Sequence, residues 1–265
     1  MDLGLRDRAC VVTGASGGIG GATAELLASE GAAIVLVGRR EDRLRLVAER
    51  CVKLGGRALP WVADLTAAEA GDRAVEACAA EFGRIDALVN SAGTTAARSL
   101  EELTEEDWQR QWELNVLAPM RLMRAAAPLM AQRGFGRIVN ICSSSGKRPS
   151  GTNMAYSVTK AAELSLSRSF ANLYADRGVL VNAVAPGPIA DDVWLAPGGQ
   201  ADQLARRDRV SREEVLERTS SRVPLGRLGS VQEVAAVVVF LCSEQASNVA
   251  GAAWSVDGGS VPVII

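Results

Sequence analysis

The chain of 265 residues contains no histidine, so the side chain that most often moves protons near neutral pH is missing. Carboxylates, five cysteines, two tyrosines and three lysines remain for acid–base work. One tyrosine and one lysine fall together in "AYSVTK", as Tyr156 and Lys160. On a helix, residues four apart share a face, so the two stand side by side. An ammonium beside a phenol favours the phenolate and lowers the tyrosine pKa. Moving a phenol from about 10 to neutrality takes roughly three units, about 4 kcal/mol. A nearby cation in a dry cleft is worth an energy of that order. With so few tyrosines and lysines, only about 0.02 such pairs are expected by chance. The alternative is an interfacial tyrosine next to a surface lysine.

Short β-branched runs alternate with helical patterns along the whole chain. Strands are predicted at 9–14, 32–38, 57–64, 84–93, 136–143, 178–187 and around 252–259, each an apolar run bounded by turn residues. Helical patterns fill the gaps, the first stopped by Gly31 and the second by Gly55. A long one runs from Thr104 to about Arg133, and Pro119 should kink it or split off its first turns. The pair Tyr156 and Lys160 lies on a helix over 153–177. The pattern predicts one α/β domain over 1–265: a Rossmann-type, doubly wound parallel sheet of about seven strands with helices on both faces. Residues 188–229 are too long and polar for a plain connection. They follow the C-terminal end of a strand, where open α/β sheets bind ligands. A mobile substrate lid is one reading, a helical excursion used for packing the other.

"TGASGGIG" sets Gly14, Gly18 and Gly20 at the turn from the first strand into the first helix. Glycines there allow a tight turn and close approach of backbone to a pyrophosphate, with the helix N-terminus facing the phosphates. By glycine content alone, roughly one chain in four would match, so the strand before and the helix after carry the assignment. NAD-binding sheets end their second strand with an acid that holds the ribose 2′-hydroxyl. Here Gly38 occupies that place, followed by Arg39 and Arg40. Guanidinium suits a 2′-phosphate, which favours NADP(H) over NAD(H). The alternative makes both arginines ordinary solvated charges opening a helix. A bound positively charged nicotinamide ring would add to Lys160 in lowering the Tyr156 pKa.

The ordered motifs resemble the short-chain dehydrogenase/reductase family over nearly the whole length. TGxxxGxG appears as Thr13-Gly14, Gly18 and Gly20; the adenine-contacting acid as Asp64 in "ADL"; and NNAG as "NSAG" from Asn90 to Gly93, with Ser91 replacing the second Asn. The helix asparagine is Asn115, the serine thirteen residues before the tyrosine is Ser143, and the post-strand pair is Pro186-Gly187, with Asn182 in the strand before. The resemblance implies that Tyr156 exchanges the proton, Ser143 bonds the substrate oxygen and Lys160 holds the ribose and tunes Tyr156. It implies that Asn115 anchors a water leading to solvent. Cofactor contacts are also expected from Ser16, Ile19, Leu65, Ala92 and Ile189. No metal is expected. Many relatives carry Thr five residues after the PG proline, to bond the nicotinamide carboxamide. Asp191 stands there instead, either accepting from that amide or marking a shifted loop. Cys142 is expected to point away from Ser143, into the core.

Function class follows from these features. The nearest likeness is to 3-oxoacyl-(acyl-carrier-protein) reductases, so a small carbonyl or alcohol substrate is expected, with an acyl carrier as a partner through Arg177. An alcohol, sugar or steroid dehydrogenase is the second enzyme reading, and a non-catalytic dinucleotide-binding regulator the third. Trp194, Leu195 and Met154 suggest an apolar pocket. The net charge of −2 and pI near 5.5 give no basic excess for nucleic acid. No signal-like or membrane-spanning stretch stands out, and the scattered cysteines read as buried thiols in a reducing cytoplasm. The family's dimer-forming helices, here 104–132 and 153–177, and the apolar "SVPVII" end predict a homotetramer.

Overall fold

A computed structural model describes residues 2–95 and 98–262. Seven parallel strands pair in the order β3-β2-β1-β4-β5-β6-β7. They are β1 (Ala9–Thr13), β2 (Ala33–Gly38), β3 (Arg57–Val62), β4 (Ala87–Asn90), β5 (Gly136–Ile141), β6 (Val179–Pro186) and β7 (Ala253–Val256). In register, Val11 of β1 faces Val35 of β2 and Leu88 of β4. Side chains alternate between two cores. Cys10, Val12, Ile34 and Leu36 pack under α1 (Gly18–Ser29), α2 (Glu41–Lys53) and α11 (Val231–Cys242). Val11, Val35, Val37 and Leu88 pack under α3 (Ala70–Phe82), α5 (Ala118–Gln132) and α7 (Met154–Tyr174). Helices on both faces explain why the central strands read as unbroken apolar runs. All five cysteines are free and buried.

The long 104–133 pattern divides before Pro119, as its sequence predicts. Thr104 and Asp107 form a capping box that starts α4 (Glu105–Trp112), a π-helical turn spans Glu113–Leu117, and α5 follows with Pro119 in its first turn. Proline has no N–H to aim at the carbonyl of Asn115, four residues back, so the regular helical ladder loses a bond there, at the end of the π turn.

Strand order reverses between β1 and β4, opening a crevice above their C-terminal ends. The short α6 (Ser144–Lys147) sits at the end of β5. Residues 188–229 form an excursion of three helices, α8 (Asp192–Leu195), α9 (Gln200–Asp208) and α10 (Arg212–Ser221). Its base is closed by Ala190 N donating to Gly229 O (2.8 Å) and Gly229 N to Pro188 O (2.9 Å). Arg212 ties the helices together through Asp202 and the Leu195 carbonyl.

Candidate active site

Two glycines of the turn, Gly14 and Gly20, leave no room for side chains. Gly14 has φ +65°, and a Cβ there would lie 2.9 Å from the Ser91 carbonyl oxygen. A Cβ on Gly20 would lie 2.6 Å from Gly14 O. The turn is locked to β4 from below: Thr13 Oγ1 accepts from Ser91 N (2.9 Å) and Ala92 N (3.0 Å). The first turn of α1 therefore faces a cleft of about 810 Å³, which runs past Asp64 and Gly93 to Ser143, Tyr156 and Lys160. That is the size and shape of a small-molecule site. Gly18, Ser16, Ile19, Leu65, Ala92, Pro186, Gly187 and Ile189, all expected cofactor contacts, line it. Asn90 does not. Its amide donates to Asn140 Oδ1 at 2.7 Å and is buried in the sheet, where it braces β4 against β5.

At the end of β2, Arg39 and Arg40 flank the cleft beside Gly38. Arg40 Nη2 donates to Ser16 Oγ at 3.1 Å, holding one guanidinium at the glycine turn. Asp64 Oδ1 accepts from Thr66 N (3.0 Å) and Thr66 Oγ1 (2.8 Å). Those bonds, with Arg39 nearby, hold its carboxyl below the usual range, so Asp64 is a fixed anion.

Ser143 leaves β5 in an extended conformation, and its Oγ accepts from Ser145 N (3.1 Å), starting α6. Tyr156 and Lys160 rise from one face of α7 toward it, with the Lys160 nitrogen 5.8 Å from the Tyr156 ring centre. Lys160 is buried and donates to Ile141 O (2.8 Å) and to Glu163 Oε2 (2.7 Å). Burial opposes its charge, but Glu163 and Tyr156 outweigh that and hold the ammonium above its ordinary range. Tyr156 departs from the sequence expectation. Burial raises its pKa above 10, outweighing the lowering by Lys160 and by the Ser143 hydroxyl, while Glu163 raises it further. Asn115, fully buried in the π turn, lies behind the cleft rather than on it. Its Oδ1 accepts from Thr94 N (3.0 Å), and its Nδ2 donates to Thr94 O (3.1 Å) and Thr159 Oγ1 (3.1 Å). It thus links the segment after Gly93 to the helix carrying Tyr156.

Several other readings change. Asp191 caps α8, its Oδ1 accepting from Val193 N (3.0 Å) and Trp194 N (3.3 Å). Burial pushes its carboxyl up, against those two bonds. Cys142 is buried but belongs to neither apolar core; burial and the neighbouring Glu163 carboxyl push its thiol pKa up. Trp194 lines the cleft, whereas Leu195 and Met154 do not. Arg177 stacks over Tyr174 (5.3 Å) just before β6, at the N-terminal ends of the strands and so at the opposite end of the sheet from the cleft. Asn182 pins β7, accepting from Ala252 N (3.0 Å) and donating to Val249 O (2.8 Å). Sequence reading missed Arg110, Asn153 and Gln200, which also line the cleft. Arg110 forms no ion pair among the described residues. In sequence terms substrate specificity is expected from loops 94–103 and 188–225; the first includes residues 96 and 97, which lie outside the described residues. Among the described residues no helix is long and apolar enough to cross a membrane.

Sheet, glycine turn and cleft together define a Rossmann-type fold with a cleft at its topological switch point. A family model described as enoyl-(acyl carrier protein) reductase matches residues 14–260. The cis-4-hydroxycyclohexanecarboxylate dehydrogenase of Sinomonas cyclohexanicum is 39% identical over 99% of this chain and 100% of that protein. The 3-oxoacyl-(acyl-carrier-protein) reductase of Thermotoga maritima is 34% identical over 97% of this chain and 99% of its own. L-Sorbose reductase from Gluconobacter frateurii, solved with NADPH and L-sorbose, matches with a TM-score of 0.92 at 37% identity, with 100% of both chains covered. The chain belongs to the short-chain dehydrogenase/reductase family of oxidoreductases, and its likeness to 3-oxoacyl and L-sorbose reductases supports an enzyme acting on the CH–OH/C=O pair.

Proposed function

We propose that the chain is an NADP(H)-dependent carbonyl reductase that converts a ketone to a secondary alcohol. The observation that carries this is one continuous cleft with Arg39 and Arg40 at one end and Ser143, Tyr156 and Lys160 at the other. Gly14, Gly18 and Gly20 would cradle the pyrophosphate, Asp64 the adenine, and Arg39 and Arg40 the 2′-phosphate. When bound, the cofactor supplies hydride for transfer to the carbonyl carbon. The protein's part is to hold the ketone oxygen between two hydroxyls. Ser143 Oγ donates a hydrogen bond to that oxygen, and Tyr156 Oη gives it a proton. A phenol with a pKa above 10 carries that proton throughout the neutral range, which suits reduction. Lys160 Nζ holds the ribose and steadies the phenolate left behind. Asn115 keeps the Thr94 segment and α7 in register.

A 3-oxoacyl substrate fits the likeness to the Thermotoga reductase. A hydroxylated or carboxylated ketone is the second reading, and a specific feature favours it: Arg110, Asn153 and Gln200 make the substrate end polar. Arg177, placed at the far end of the strands from the cleft, gives the acyl-carrier reading no support within one subunit. The excursion 188–229 serves as the lid in either case. The test is NADPH oxidation at 340 nm across 3-oxoacyl thioesters, ketoses and oxocycloalkane carboxylates. Turnover on at least one class is expected. Tight NADPH binding with no turnover on any would favour a dinucleotide-binding regulator instead.

A further inference from the structure

The helix that carries Tyr156 and Lys160 holds a second buried ionisable group that the reaction above does not use, Glu163, whose carboxyl burial pushes up and the Lys160 ammonium pulls back down. The buried stripe of α7 runs through Ala155, Thr159, Lys160, Glu163, Ser167 and Ala171. Glu163 is 2% exposed and its carboxylate lies 2.7 Å from the Lys160 nitrogen, the one cation paired with it among the described residues. Stability does not explain such a pair. Removing two charges from water costs more than apolar side chains of the same size would, so a buried pair is weak evidence of a structural role. Its position is also specific: the cation it neutralises is the one beside the phenol.

We propose that Glu163 is a positioning residue of the acid–base machinery: its carboxylate is the fixed counter-ion of Lys160, and by cancelling much of the ammonium's field at Tyr156 it keeps the phenol in its proton-carrying form. A lone buried ammonium would draw Tyr156 toward phenolate, the form that takes a proton from an alcohol. Pairing it with Glu163 moves the balance toward the phenol, the form that gives a proton to a ketone. The same carboxylate, with Ile141 O, fixes where the ammonium points.

The surrounding charges leave Glu163 in control of that field. From β5, the Cys142 thiol faces Glu163, and burial keeps it protonated. From α6, Lys147 is turned to β7, where it donates to Ala253 O (2.7 Å) and Ser255 Oγ (2.9 Å). In the π turn, Glu113 pairs with Arg121 at 2.8 Å. On α4, Asp107 pairs with Arg98 at 3.2 Å, and Arg110 lies at the substrate end of the cleft. At the far end of β5, Arg137 donates to Ser243 O (3.1 Å) and Gly136 O (3.0 Å), away from the site.

The chain's composition gives a direct test. It has two tyrosines, so Tyr174→Phe leaves Tyr156 as the sole phenol, and its ionisation can be followed by absorbance at 295 nm after rapid pH jumps. The inference rests on Tyr156 being the proton donor, but this titration needs no substrate and stays readable if the ketone panel fails. In the Tyr174→Phe parent, Glu163→Gln should lower the Tyr156 midpoint by about one pH unit, a tenfold change in ionisation constant. Glu163→Asp should restore it. The double variant Lys160→Gln/Glu163→Gln replaces a neutral pair with a neutral pair and so keeps the fold. Its midpoint should stay close to the parent's. An unchanged or raised midpoint in Glu163→Gln would overturn the proposal. So would a double variant titrating well above the parent, because the ammonium would then dominate Tyr156 without a counter-ion.

Discussion

Replacing Arg39 by alanine should cost the enzyme most of its preference for NADPH over NADH. A charge-assisted hydrogen bond contributes about 1.5–3 kcal/mol. Arg39 is exposed at the rim of the cleft, so solvent screening puts its share near the lower end, about 1.5 kcal/mol. That predicts a drop of roughly tenfold in the ratio of kcat/KM for NADPH to that for NADH. Some preference should survive, because Arg40 stays anchored on Ser16 Oγ at 3.1 Å and still offers a guanidinium. Removing both arginines should therefore cost about another factor of ten. Adding Gly38→Asp should reverse the preference by repelling the phosphate and offering the ribose an acceptor. The new Cβ would lie 3.3 Å from Leu44 Cδ2. That is the end of a flexible side chain, so a small shift accommodates it, and a thermal melt checks that it does. Parallel steady-state assays with both cofactors, backed by fluorescence titrations of each without substrate, give the ratios. An Arg39→Ala enzyme with an unchanged ratio would refute the reasoning, because Arg39 would then point into solvent.

Gly20→Ala should abolish dinucleotide binding in a fluorescence titration, because its Cβ would lie 2.6 Å from the Gly14 carbonyl oxygen and displace the turn; wild-type affinity would mean that the turn does not hold the pyrophosphate. Assembly gives another test: Trp112, Leu129, Val158 and Leu173 are exposed apolar side chains on α4, α5 and α7, and covering them with other subunits predicts a tetramer by sedimentation equilibrium. A mass near one 27.8 kDa chain would exclude it.

Much of this arrangement is written locally in the sequence. The apolar runs of β1, β2, β4 and β5 need no tertiary information, because strands covered on both faces have no polar side to hide. The glycine turn, the break before Pro119 and the spacing of Tyr156 from Lys160 are local as well. What a linear reading misses depends on what meets across space. Asn90 and Asn115 fall inside the expected motifs, yet their side chains brace the sheet and the π turn, since their partners, Asn140 and Thr159, lie far along the chain. Arg110, Asn153 and Gln200 converge on the cleft from three separate segments. Glu163 was legible: it lies three residues after Lys160 on the stripe of α7 that continues through Ser167 and Ala171, so a buried charge beside the lysine could have been read from the helical period. Half of the apolar "SVPVII" end that bears on assembly, residues 263–265, lies outside the described residues.

The central claim is that Tyr156 carries the proton. Its most direct test is Tyr156→Phe, which keeps the ring, the helix and the packing and removes one oxygen. With a substrate found in the panel, turnover should fall by more than about a hundredfold while NADPH affinity changes by no more than about twofold. An enzyme retaining more than about a hundredth of the wild-type rate would contradict the account, and the proton would have to come from elsewhere.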